Sequence, residues 1–307
     1  MSAGEETMRE ALSAGEKTMR VEGKMMSNAG EPLLEVRNLR VGFDTRRGLV
    51  EAVRGVSFTV GRERVAIVGE SGSGKSMTGR AILRLVRPPG HVAADTLRFR
   101  GTDLAALSER EMRAVRGRRI AMVMQDPKYS LNPVMRIDRQ LGEALRAHGR
   151  ISGADAKRRM VAMLEDVQIR DPERVLRAYP HELSGGMGQR VMIAMMLIPE
   201  PELLIADEPT SALDVTVQLE ILRILDDLVR GRGMGLLFIS HDLRLVSTFC
   251  DRVLVMYRGR IVEEIAARNL AEAKHPYTRG LLACLPRIGG GHAPLPVLDR
   301  QPEWERA

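Results

Sequence analysis

Cysteine is scarce. Cys250 and Cys284 are the only two in 307 residues, too few for a disulfide framework or a Cys-rich metal site, so a reducing cytoplasm is the expected compartment. Aromatic residues make up only 3%, and the basic residues are scattered, so the net charge of +7 does not point to nucleic acid. Long apolar runs are also missing. The longest candidate, Val191–Ile198, meets Pro199 and Pro201 well short of the roughly 18 residues a membrane helix needs. The N-terminus lacks the apolar centre of a signal peptide, and nothing argues for secretion.

What is present fits an ordinary α/β protein. Hydrophobic residues at 44%, charged residues at 28%, 29 Gly and 15 Pro exclude collagen, coiled-coil and disordered compositions. The length allows about two domains with a substantial core. Ser2–Arg9 recurs as Ser13–Arg20 with almost no apolar content, so residues 1–30 read as a disordered extension, and Met25 or Met26 is a possible alternative start. Leu33–Val36 and Val50–Val60 carry the alternation of antiparallel strands.

Four later runs are short and nearly unbroken: Val65–Val68, Ile120–Met124, Leu203–Ala206 and Leu236–Ile239. Such runs fit parallel strands buried on both faces and wrapped by helices. They end in Gly69, Gln125, Asp207 and Ser240-His241, and ligands of open α/β sheets bind at the carboxyl ends of strands. Four polar motifs are therefore expected at one crevice. Between Asp126 and Leu197 the pattern is helical, over Asp138–His148, Ala154–Val167 and Gly186–Ile198, which reads as an inserted lobe. Past Arg260 one more strand precedes Pro276, Pro286 and a triple glycine, so the tail from about 285 is expected to be loose.

Gly69-Glu-Ser-Gly-Ser-Gly74-Lys75-Ser76 follows a buried strand and opens a helix predicted to place Met77, Ala81, Ile82 and Leu85 on one side; this is the context of a P-loop. Backbone N–H groups of Gly69, Ser71, Gly72, Ser73, Gly74 and the residues through Met77 would cradle phosphates. Lys75 would reach the β- and γ-phosphates, and Ser76 would ligate Mg²⁺. Asp207-Glu208 puts two carboxylates at a strand end, where a cation would offset the cost of burying charge. Asp207 suits Mg²⁺ held through water. Glu208 suits orienting or deprotonating an attacking water. Ser184-Gly185-Gly186, ahead of an apolar helix, forms a second anion-ready helix start.

With these motifs in this order, residues 33–285 resemble the ATP-binding subunit of an ATP-binding-cassette (ABC) transporter. The resemblance implies a P-loop NTPase core of the ABC type with a mainly parallel sheet, an antiparallel β subdomain and an inserted helical subdomain at about 126–198. It also implies an ATPase domain over 31–265, a C-terminal extension over 266–307, and ATP and Mg²⁺ as cofactors. Two cassettes of this family pair head to tail, so Ser184, Gly185 and Gly186 would contact the γ-phosphate of ATP held by a partner. Gly188 departs from the longer polar side chain often found in this signature, and a helical Gly costs about 1 kcal/mol relative to Ala. Gln125 resembles the family's Q-loop residue, which senses Mg²⁺ or the attacking water, and His241 the switch histidine at the γ-phosphate. Ser211 and Asp214 resemble the ends of the D-loop at the dimer interface, although Asp214 reads equally as a helix cap. Phe43 is either the adenine-stacking ring or a strand-core side chain.

Gln125–Pro133 and His275–Leu282 resemble oligopeptide, dipeptide and nickel importer ATPases. The implied partners are a second ABC ATPase, identical or paralogous, two membrane permease subunits and, indirectly, an extracytoplasmic solute-binding protein. The implied place is the cytoplasmic face of a bacterial inner membrane. A soluble cassette ATPase acting on ribosomes or DNA is the rival class; it usually carries two cassettes or a coiled-coil insertion, and neither a second P-loop nor sustained heptads occur.

Overall fold

The structure, a computed structural model, describes residues 31–46, 48–124, 131–210, 214–285, 301 and 304. The expected disordered extension, Gln125 and Ser211 lie outside the described residues.

Two long strands, β1 (Leu34–Thr45) and β2 (Gly48–Val60), form an antiparallel pair, and β3 (Arg64–Val68) leads through the Gly-rich turn into α1 (Lys75–Ile82). The chain continues through β4 (Gly90–Ala93), β5 (Thr96–Phe99), β6 (Thr102–Asp103), α2 (Glu109–Val115) and β7 (Ile120–Val123). Four helices follow: α3 (Ile137–Arg146), α4 (Gly153–Asp166), α5 (Pro172–Arg177) and α6 (Gly185–Leu197). Then come β8 (Leu203–Asp207), α7 (Val215–Arg232), β9 (Gly235–Ser240), α8 (Leu243–Phe249), β10 (Arg252–Tyr257), β11 (Arg260–Ala266) and α9 (Pro276–Ala283).

One sheet is antiparallel, ordered β2-β1-β5-β6 with β4 also on β1. The other runs β11-β10-β3-β9-β8-β7, parallel except for the β10–β11 pair. The four buried apolar runs are therefore adjacent parallel strands, as their composition predicts. Their alternation explains the unbroken hydrophobicity, because successive residues feed opposite faces. Val65, Ile67, Ile205, Leu237 and Ile239 join a core with the antiparallel sheet and α1. Ala66, Val68, Leu204, Ala206 and Phe238 join a second core with the helices. In the lobe, α3, α4 and α6 pack on one another.

The amino ends of the parallel strands are joined by ion pairs. Arg64 bridges Asp226 and Asp251 at 2.5 and 2.7 Å, Arg252 bridges Glu63 and Glu264 at 2.7 and 2.5 Å, and Glu202 bridges Arg100 and Arg119 at 2.5 and 3.0 Å.

Two local expectations are corrected. Leu85 is not on the buried side of the P-loop helix: Arg84 takes φ +53°, the Leu85 N–H closes back on Arg80 O at 2.8 Å, and Leu85 is exposed. Thr78, Gly79, Ala81 and Ile82 form that buried side instead. The strand before Gln125 stops at Val123, and Met124 is exposed. In the stretch read as a loose tail, Trp304 packs edge-on against Tyr257 with ring centroids 6.0 Å apart.

Candidate functional site

Parallel order places the carboxyl ends of β3, β9 and β8 side by side, so Gly69, His241, Asp207 and Glu208 lie along one edge of the sheet. The Gly-rich turn sits over the middle of that edge. No side chain caps the start of α1, which leaves its first N–H groups for a ligand. Gly74 has φ +106°, and a Cβ there would stand 2.4 Å from the Ala52 backbone oxygen, so only glycine fits. Gly72, at φ +80°, faces open space, as does the exposed Ser71. The Ser73 hydroxyl is buried and unpaired among the described residues. Met77 packs partly buried against the core below the turn.

Lys75 is 5% exposed, and its ammonium donates to the carbonyls of Gly69 and Glu70, both at 2.8 Å. Burial pushes its pKa below the ordinary lysine value, against the pull of Glu208, Asp207 and Glu70. These acceptors are neutral, so the lysine's charge is available for an anion in the turn. Beside it, Ser76 donates its hydroxyl proton to Asp207 Oδ1 at 2.7 Å. Asp207 is 3% exposed, and burial raises its pKa against the Ser76 hydrogen bond and the positive charge of Arg80. A buried carboxylate beside a hydroxyl at the foot of the Gly-rich turn is a donor set that fits Mg²⁺, which uses one or two carboxylates together with substrate phosphates.

Glu208 follows Asp207 with φ +46°, a left-handed conformation that turns the chain away from the sheet, and its N–H bonds to Ile239 O at 2.9 Å. Its Oε1 lies 3.1 Å from His241 Nδ1. The carboxylate is mostly buried while the imidazole is exposed, which leaves a wet face beside the pair.

Ser184-Gly185-Gly186 lies elsewhere. Ser184 caps α6 by accepting from Met187 N at 3.4 Å, and all three residues line a cleft of about 680 Å³ shared with Asp214, Arg170 and Arg174. Among the described residues no hydrogen bond joins this segment to the Gly69–Ser76 turn. Asp214 is exposed and caps α7 through Thr216 N and Val217 N, so its helix-cap reading holds. Phe43 packs partly buried with Val86 against the core, and a Cβ on Gly90 would meet its ring at 2.7 Å; this is the strand-core environment.

Two connections had no sequence signal beyond a polar residue in an apolar setting. Gln189 is 2% exposed in α6, and its amide donates to the carbonyl of Pro209, next to Glu208. Tyr277, in α9, accepts from the N–H of Glu70 in the Gly-rich turn at 3.1 Å.

Comparison with known proteins shows the family and the fold. Residues 53–211 match the family described as ABC transporter. The chain is 50% identical over 280 residues to the probable peptide ABC transporter ATP-binding protein y4tR of Sinorhizobium fredii, covering 90% of this chain and 84% of that protein. It is 50% identical over 259 residues to the oligopeptide transport ATP-binding protein OppD of Bacillus subtilis, covering 83% of this chain and 72% of that one. Among solved structures, the dimeric post-hydrolysis state of the ATP-binding cassette MJ0796 bound to ADP and Pi superposes with a TM-score of 0.68 at 26% identity, covering 76% of this chain and 99% of that chain.

Proposed function

Because this chain belongs to the ABC transporter family, we propose that it is the ATP-hydrolysing subunit of a peptide importer and that the crevice at the carboxyl edge of its parallel sheet is the nucleotide site. The observation that carries this reading is the meeting of Lys75, Ser76, Asp207, Glu208 and His241 at that edge.

The N–H groups of Gly69–Met77 and the start of α1 bind the phosphates, and Lys75 balances the charge of the β- and γ-phosphates. Ser76 and Asp207 would hold Mg²⁺, with Gln125 expected to complete the set; the cation supplies charge neutralisation on the phosphate oxygens when bound. Glu208 accepts the proton of the attacking water, and His241 both orients that carboxylate and reaches the γ-phosphate. Phe43 is the candidate ring for adenine, although its packing supports the strand-core role more.

Ser184, Gly185 and Gly186 belong to the other half of a composite site. They line their own cleft away from the turn, which supports the reading that they close over nucleotide held by a second cassette, with Ser211 and Asp214 at the same junction. The implied partner cassette is this chain or a paralogue.

Among the described residues no helix is long and apolar enough to cross a membrane. In keeping with the named roles of the relatives, the channel is assigned to separate membrane-spanning permease subunits, with this chain docked at the cytoplasmic face. The named functions of the relatives and the Gln125–Pro133 and His275–Leu282 stretches support peptide as the solute, and the same stretches leave nickel or another small solute as the second choice.

Glu208→Gln tests the chemistry. Hydrolysis should fall by about 10²- to 10⁴-fold while Mg·ATP affinity stays within a few-fold of wild type. Wild-type turnover in that variant would remove Glu208 from the role of base.

A further inference from the structure

The His275–Leu282 motif has so far served only as a mark of kinship, and the structure gives part of it a place in the site. Tyr277 is fully buried, and its hydroxyl accepts a hydrogen bond from the Glu70 N–H at 3.1 Å. Glu70 is the second residue of the Gly-rich turn. Its carbonyl, on the other side of the same residue, accepts from Lys75 Nζ at 2.8 Å and from Ser73 N at 3.2 Å. A tyrosine more than 200 residues away in sequence thus holds the residue on which the phosphate-binding lysine rests.

We propose that Tyr277 is a positioning residue for the nucleotide loop, tying the C-terminal segment to the affinity of the chain for ATP. The proposal rests on the nucleotide-site reading given above.

The hydroxyl is aimed by its surroundings. The Tyr277 ring packs 4.4 Å from the Tyr257 ring and 5.9 Å from Trp304, measured between centroids. The backbone of α9 is fixed at its start, where His275 Nδ1 accepts from Tyr277 N at 3.2 Å and the N–H groups of Lys274 and His275 donate to Glu263 Oε1 at 2.7 and 3.3 Å. The turn between β10 and β11 also braces the loop, with Gly259 N donating to Ser73 O at 2.8 Å. The tyrosine therefore meets the loop as a rigid stop. Removing its hydroxyl takes this acceptor from the part-buried Glu70 N–H, a loss that disturbs the loop rather than the chemistry at Glu208.

A matched control lies in the same stack. The Tyr257 hydroxyl is also buried, but it has no hydrogen-bond partner among the described residues, so Tyr257→Phe removes a hydroxyl from the same stack without removing a hydrogen bond to the loop.

The test uses the full chain, with Mg·ATP as titrant and KM and kcat from ATP hydrolysis. Tyr277→Phe should raise the Kd and KM for Mg·ATP by roughly 5- to 10-fold with kcat within about twofold of wild type. Tyr257→Phe should leave both unchanged. A wild-type Kd in Tyr277→Phe would overturn the proposal, as would equal shifts in the two variants, which would assign the effect to packing. Lys75→Ala separates the two levels of inference. Loss of binding there upholds the nucleotide site on which the proposal stands, and retained binding would overturn the site and this proposal together.

Discussion

Gly74 offers the sharpest quantitative test of the phosphate cradle. An alanine Cβ at this position would lie 2.4 Å from the Ala52 backbone oxygen, where ordinary contact begins at 3.4 Å, so the turn must retreat by about 1 Å. Ala52 cannot yield easily, because it is a backbone position inside β2. The residue would also have to hold φ +106°, and left-handed geometry costs a non-glycine roughly 1–2 kcal/mol. Misplacing a group that positions substrate by about 1 Å costs on the order of 100-fold. Gly74→Ala should therefore weaken Mg·ATP binding by about 100-fold.

Gly72→Ala is the counterpart, with φ +80° but no atom within 4 Å of the added methyl. It carries the conformational cost alone, and a loss of no more than about 10-fold is expected. Calorimetric titration of the purified chain measures both, with thermal melts to establish that each variant is folded. Gly74→Ala binding within threefold of wild type, or an equal loss in the two variants, would refute the account of the loop as a cradle closed by backbone contact.

Two further outcomes are expected. Gly188→Ala fills open space in an unbroken helix, so it should stabilise the chain by up to about 1 kcal/mol and raise Tm by about 2 °C; an unchanged or lower Tm in a thermal melt would contradict this. His275 is held below the ordinary imidazole range by burial, against the pull of Glu263. Its lowered folded-state pKa means that the unfolded chain takes up the proton first. The stability it contributes is complete above about pH 6.5 and is lost as pH falls through the folded value. His148 is lowered in the same sense, by burial and Arg118, so it adds to the acid sensitivity of every variant that retains it. Melts at pH 7.5 and 5.5 should show a larger drop for wild type than for His275→Asn, which keeps an acceptor at the start of α9 without a titrating ring.

Much of this was legible in the sequence because it was local. Unbroken runs such as Leu203–Ala206 announce strands buried on both faces, and a Gly-rich turn ending in Lys-Ser announces its ligand through the residues it contains. What was hidden depended on distance. Leu85 fits a helical stripe, but the helix closes early through the backbone of Arg84, a residue type with no preference for φ +53°. Glu208 gives no hint in its side chain of the left-handed backbone that aims it. Gln189 and Tyr277 act through main-chain partners, and a main-chain carbonyl or N–H is the same in every residue. Only the fold shows which one is met.

The ion pairs around Arg64, Arg252 and Glu202 gather at the amino ends of the parallel strands, whereas the turn, Asp207, Glu208 and His241 occupy the carboxyl ends. The amino margin is thus tied by arginine–carboxylate pairs remote from the crevice, whereas the links at the carboxyl margin, Ser76 to Asp207 and Glu208 to His241, are made by the site residues themselves. Occupancy of the crevice would therefore act on the links at the carboxyl margin, while the pairs at the opposite margin stay the same whether the crevice is filled or empty.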